Sequence, residues 1–163
     1  YAGNCGRHGV WAQSIATQAI TRNSNILQMK TINQVSGPMT EMFFLESIVG
    51  MTAASCSGQT FTISPRSAGG SKKNGLTPIE CWYNAAVFKG AAGLSRADAN
   101  RIVKEGIPKF ENVLDDPPKG LTFRDLYDIP TLTPCKEYVD MYLKMRKYAE
   151  DLGINMPGDG ILC

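Results

Sequence analysis

A histidine and a cysteine stand three positions apart in the glycine-punctuated stretch Gly3-Asn4-Cys5-Gly6-Arg7-His8-Gly9, which pairs two residue types able to bind metal. A zinc site takes about three or four ligands, and no second such pair occurs in the chain, so no metal site is expected. The spacing points to a loop histidine that satisfies local hydrogen bonds, with Arg7 and His8 lining an anionic or polar cavity as the functional alternative. Glycines 3, 6 and 9 can also bring backbone amides close to a phosphate at a helix start, although the order G-x-G-x-x-G is absent. Glu41, Glu46 and Glu80 are the candidate acid–base groups. Each has a structural reading beside it: Glu80 as a capping residue, Glu41 as a first-turn carboxylate, Glu46 as a solvated or interface residue.

The elements that must position these groups follow from periodicity and breakers. Val10, Trp11, Ile15, Ala19 and Ile20 recur near helical spacing and predict a helix over 10–22. Residues 25–35 alternate loosely and end at Ser36-Gly37-Pro38, a strand followed by a sharp turn. From Thr40 to about Cys56 the chain is apolar around most of a helix circumference, which predicts packing on more than one side. Gln59 to Ser64 alternates as a strand, and Pro65 to Gly75 reads as a flexible basic loop.

Thr77-Pro78-Ile79-Glu80 starts a helix to about Gly90 with a capping box, and Ser95 caps another to about Glu105. Pro108 to Leu114 is a further segment, and Asp115 to Gly120 a stiff connector. Thr122 caps a short turn to Tyr127, and Thr133-Pro134 starts a final helix ending at Gly153. That helix carries Tyr138, Met141, Tyr142, Met145 and Tyr148 as a packing stripe.

Strands that alternate with helices imply parallel β/α construction. Two strands make no stable sheet and leave both edges open. The sequence therefore reads as α/β, the C-terminal part of a (β/α)8 TIM-type barrel followed by a helical C-terminal extension. Residues 1–91 form closing β/α units that are incomplete alone, 92–156 the extension, and 157–163 a flexible tail. The opening at Tyr1 without methionine, on a strand end running into a glycine turn, suits the middle of a domain. In such a barrel, reactions take place at the C-terminal ends of strands, which directs attention to the loops 3–9, 33–38 and 65–75.

Composition narrows the class further. At 163 residues, 43% apolar and 20% charged, the chain has the make-up of a soluble globular protein. A net charge of +2 gives no reason to expect nucleic acid or a membrane surface as partner. Five scattered cysteines without a C-x-x-C pair suit reduced thiols in a cytoplasm.

A longer pattern joins these pieces. Ser36-Gly37-Pro38 with Thr40-Glu41-Met42, Leu45-Glu46-Ser47, Ser57-Gly58, Ser67-Ala68, Thr77 with Glu80, Ala91-Ala92-Gly93, Pro117-Pro118-Lys119-Gly120, Thr122-Phe123, Tyr127-Asp128, Thr131 to Pro134, Glu137-Tyr138 and Glu150 to Gly153 run in order. This pattern resembles the C-terminal end of the monomethylamine:corrinoid methyltransferases of methanogens, over roughly residues 36–156. The resemblance implies a (β/α)8 barrel, of which this chain looks like the last third. It also implies transfer of a methyl group from monomethylamine or a related methylated amine to the cobalt of a cognate corrinoid protein. A noncatalytic scaffold or assembly subunit derived from the family is the alternative.

An amide that helps position the methylamine-bearing centre lies, in that family, shortly before the Ser/Ala-Gly-Pro turn. Without gaps this position falls on Thr31, whereas Gln34 requires a shift of three residues. The tentative site is thus Gln34 as catalytic group, with Thr31, Arg7 and His8 toward substrate. A corrinoid carrier would show an Asp-x-His-x-x-Gly loop, and Gly6-Arg7-His8-Gly9 lacks it, so the resemblance implies a corrinoid carried by a partner protein. The family's pyrrolysine and two glutamates belong upstream of the matching region. A homo-oligomer is expected, with contacts through the helical extension.

Overall fold

A computed structural model describes residues 3–158. Its first helix, α1 (Arg7–Asn23), begins three residues earlier than the apolar periodicity announces, because its first turn is polar. It leads to β1 (Met29–Lys30), α2 (Glu41–Cys56), β2 (Phe61–Thr62) and α3 (Pro78–Gly90). Then come α4 (Arg96–Gly106), two short 3-10 turns over 107–113, α5 (Phe123–Leu126), β3 (Tyr127–Asp128), β4 (Thr133–Pro134) and α6 (Lys136–Asp151). The flexible tail expected at 157–163 lies outside the described residues beyond Gly158, as do Tyr1 and Ala2.

The two expected strands are present and parallel, with Met29 opposite Phe61 and Lys30 opposite Thr62. Their regular ladder is much shorter than 25–35 and 59–64. Side chains take over where backbone pairing stops: the Gln28 N–H donates to Thr60 Oγ1 at 3.1 Å, and the Asn33 N–H to Asn4 Oδ1 at 3.0 Å. Single backbone bonds continue the alignment, from Ile63 N–H to the Lys30 carbonyl at 3.3 Å and from Arg66 N–H to the Ile32 carbonyl at 3.3 Å. On the other side of β1, the Asn4 N–H reaches the Asn33 carbonyl at 3.3 Å, which sets Asn4 beside the strand's continuation.

Helix α2 is the centre of the molecule, and it packs against α1, α3, α4 and α6 as its all-round apolar sequence requires. Thr40 caps it, donating to the Gly37 carbonyl at 2.7 Å and accepting from the Phe43 N–H at 3.3 Å. Phe44 meets Tyr83 of α3 edge-on at 4.7 Å between ring centroids, and Tyr83 meets Tyr142 of α6 at 6.1 Å. The Tyr83 hydroxyl donates to the Met145 carbonyl at 3.0 Å, so this buried aromatic also satisfies its polar end. Gly106 of α4 comes so close to α2 that a Cβ there would stand 2.5 Å from Val49 Cγ2. One core thus runs without a break from the β/α units into the helices that follow.

Two sequence expectations change. Thr133 and Pro134 do not open the last helix; they pair antiparallel with Asp128 and Tyr127, and α6 starts after Cys135. The Cys135 N–H donates to the Leu126 carbonyl at 2.7 Å, which closes this hairpin and prevents helical geometry at Pro134. Residues 65–75 are not a flexible connector either, since Pro65, Ser67, Ala68 and Gly75 are buried. The Tyr138, Tyr142 and Met145 stripe does pack inward as expected.

Truncating Phe44 to alanine should cost about 3–5 kcal/mol, because it removes the ring on which both α2 and α3 close. Tyr83→Phe, which keeps the ring and loses one hydrogen bond, should cost about 1 kcal/mol. Urea denaturation of both variants checks the order.

Candidate functional site

Three loops meet at the C-terminal ends of β1 and β2. The Gly37 N–H donates to the Pro118 carbonyl at 2.9 Å, and the Leu121 N–H returns to the Pro38 carbonyl at 3.1 Å. Contact is backbone on backbone: a Cβ on Gly37 would lie 1.9 Å from the Lys119 carbonyl oxygen, and one on Gly120 2.1 Å from that of Pro38. Gly120 also has φ +61, where a side chain is strained. Ser36-Gly37-Pro38 and Pro117-Pro118-Lys119-Gly120, some eighty residues apart, are therefore one structure. The third loop joins through the Ala68 N–H to the Ser36 carbonyl at 2.7 Å and the Gly69 N–H to the Gln34 carbonyl at 2.8 Å. Lys72 Nζ donates to the carbonyls of Lys119 and Gly120.

Two buried carboxyls hold this assembly from below. Glu46 of α2 is fully buried, not solvated, and accepts from the Val35 N–H at 3.0 Å, the Ser36 N–H at 3.1 Å and the Ser36 hydroxyl. Burial pushes its carboxyl up, and those three donors oppose the shift. Glu80 accepts from the Thr77 N–H at 2.9 Å, completing the expected capping box, and from the Ser67 hydroxyl at 2.9 Å. Burial raises Glu80 from the ordinary 4.5 to about 8. Glu41 stays on the surface in an ion pair with Lys144.

Between the loops lies a cavity of about 230 Å³ bounded by Val35, Ala68, Gly69, Asp115, Pro117 and Lys119. Beside it the sheet presents one uncovered face. Side chains alternate along β1 and its continuation: Ile32 and Gln34 are fully buried towards the helices, whereas Met29 is 55% exposed. Phe61 and Ile63 of the β2 segment are likewise exposed. Thr31 and Asn33, half-buried, fall on the same parity as Met29.

The tentative site residues separate accordingly. Gln34 lies between sheet and helices, its Nε2 donating to Ser47 Oγ of α2 at 3.0 Å and to Asn84 Oδ1 of α3 at 3.1 Å. Thr31 belongs to the open side, and its carbonyl accepts from Asn4 Nδ2 at 2.9 Å. A shift of three residues reverses the face a strand residue occupies, so Thr31 and Gln34 are not interchangeable. Arg7 is exposed and forked onto Glu111 at 3.2 and 2.9 Å. His8 is exposed in the first turn of α1, while Cys5 is buried against the Asn33 carbonyl, so the C-x-x-H spacing does not join them in one cluster. Asn4, Ser47 and Asn84 were missed from sequence; polar residues inside the apolar surfaces of α2 and α3 were the available signal for the last two.

Parallel strand–helix units with loops docked at the strand ends, backed by an uninterrupted helical layer, define a segment of an α/β protein of the β/α type. The sequence profile described as monomethylamine methyltransferase MtmB matches residues 2–154, and the chain belongs to that family. A monomethylamine methyltransferase MtmB of Methanosarcina mazei is 31% identical over 144 residues, covering 86% of this chain and 31% of that protein. MtmB1 of Methanosarcina acetivorans is 30% identical over 139 residues, covering 85% of this chain and 30% of that protein. The crystal structure of the Methanosarcina barkeri monomethylamine methyltransferase superimposes with a TM-score of 0.89 at 28% identity, over 94% of this chain and 34% of that one. The chain thus spans about a third of the length of the relatives it matches.

A carboxyl that binds its proton more tightly when folded adds stability in full below its unfolded value and loses it as pH climbs through the folded value. For Glu80 that window runs from about 4.5 to about 8, so urea midpoints of the chain should fall across it. Glu80→Gln removes the titration, keeps one oxygen to accept from the Thr77 N–H and turns an Nε2 donor toward the Ser67 hydroxyl, so it should flatten the fall; Glu46 retains a residual slope of the same sign. Gly37→Ala should separate the first two loops, seen as earlier proteolysis at 115–121.

Proposed function

We propose that this chain forms the C-terminal part of a (β/α)8-barrel methyltransferase acting on monomethylamine. The methyl group passes to the cobalt(I) of a cognate corrinoid protein. The C–N bond of the protonated amine breaks, a Co–C bond forms with the electron pair of cobalt(I), and ammonia leaves with the C–N electron pair. The observation that carries this reading is the docking of Ser36-Gly37-Pro38 on Pro117 to Gly120 at the strand ends, in a chain whose family profile spans nearly its whole length.

Within that reaction the described residues bind and orient. The open sheet face, with Thr31 and Asn33 near the strand ends, becomes the inner wall of the barrel once further strands cover it. Thr31 is the substrate-side candidate, and Gln34 acts on it indirectly by fixing the strand to α2 and α3. Arg7 and His8 stand at the same end of the fold and would meet polar groups of substrate or partner. An amine is a poor methyl donor until its nitrogen joins an electrophile; in this reading the family's pyrrolysine supplies it from the part of the barrel equivalent to the remainder of the relatives. The corrinoid is cargo of the partner protein. Assembly into a homo-oligomer through the helical layer and a cytoplasmic setting complete the proposal; among the described residues no helix is long and apolar enough to cross a membrane.

Co-expression of the chain with the first two thirds of the Methanosarcina mazei relative tests the proposal. The reconstituted protein should convert cobalt(I) corrinoid protein to the methylated form only with monomethylamine, read by absorbance. Thr31→Val should raise KM for the amine about tenfold without changing the circular dichroism of the chain. A folded complex with no methyl transfer from any methylated amine would favour the noncatalytic scaffold.

A further inference from the structure

On the outer side of the helical layer, α1 and α4 flank the C-terminal part of α2 and leave a groove of about 390 Å³ between them. Its apolar lining comes from Val10, Trp11 and Ile15 of α1, Ala53 of α2, Val103 of α4 and Ile107 just after it. Trp11 and Ile15 are 67% and 53% exposed, although they share the helix with the buried Val10. Positions 7, 10, 11, 14, 15 and 18 all reach the groove, which is the i, i+3, i+4, i+7 spacing of one helix face. An indole left in water at the wall of an open trough between two helices is the pattern that accepts a third helix.

Charge decides which helix. Arg7, Arg96 and Lys104 line the groove, and no aspartate or glutamate does. Arg7 is already neutralised by Glu111 at 2.9 Å. The neighbouring acids are engaged elsewhere: Asp98 caps α4 with Ser95, Glu105 pairs with Arg101 at 3.5 Å. Arg96 and Lys104 form no ion pair or hydrogen bond with the described residues. Eight positions apart on one helix, they stand about 12 Å from each other along its axis at a rise of about 1.5 Å per residue.

We propose that this groove docks an acidic amphipathic helix of a partner protein, its apolar stripe seated on Trp11, Ile15 and Val103. Two carboxylates about two helical turns apart face Arg96 and Lys104. The groove shares Arg7 with the tentative site, but the proposal does not depend on the methyl-transfer reading.

A synthetic 18-residue helix with leucines at i, i+3, i+4 and i+7 and glutamates on both flanks is the probe, titrated into the chain at low salt while tryptophan emission is followed. Docking should shift the emission to the blue, and Trp11→Phe should abolish the shift, leaving only the signal of Trp82. The double variant Arg96→Glu, Lys104→Glu should weaken binding at least tenfold, and raising salt to 0.5 M should do the same. The same peptide with lysine in place of glutamate should bind at least tenfold more weakly. Equal binding of both peptides, no response at any concentration, or sedimentation showing that the groove is closed by a second copy of the chain would each overturn the proposal. Because both substituted positions are on the surface, unchanged circular dichroism separates lost docking from lost folding.

Discussion

The carboxyl of Glu46, reaching from the most buried helix to the amides of Val35 and Ser36, is the interaction on which the rest of the arrangement depends. It is held at full burial by α2, whose other faces are committed to α1, α3, α4 and α6. A buried carboxyl is tolerable only with donors around it, and the turn after β1 supplies them. The same turn then offers Gly37 to Pro118 and the Ser36 carbonyl to Ala68. Core packing, one acidic side chain and three loops thus form a single chain of cause.

The docked loops lie at one end of the sheet, whose face away from the helices is open. Met29, Phe61 and Ile63 present exposed apolar surface, and among the described residues no strand pairs with the far edge of β2. Exposed apolar strands of this kind call for a covering layer, because their open edges and faces otherwise favour association.

Much of the fold was legible. Thr77-Pro78-Ile79-Glu80 is a local signal, and its capping box is present; the all-apolar α2 announced packing on several sides and has it. The Thr133-Pro134 helix start failed because a four-residue hairpin connection competes with a proline cap, and a two-residue ladder is too short to leave a period. Gln34 and Thr31 could not be told apart by type alone. Their parity on the strand decides between them, and parity becomes visible only when Gln34 is seen bonded to Ser47 and Asn84.

By itself the sequence determined which segments become helices and turns, since capping, period and glycine placement act within a few residues of one another. It also carried the family likeness, because the motifs run in order. Only the tertiary structure decided that Glu46 is interior, that Gly37 rests on Lys119, and that Cys5 turns inward while His8 stays in solvent. Those outcomes depend on contacts between residues tens of positions apart, where burial and close approach, which no local pattern records, set the energies.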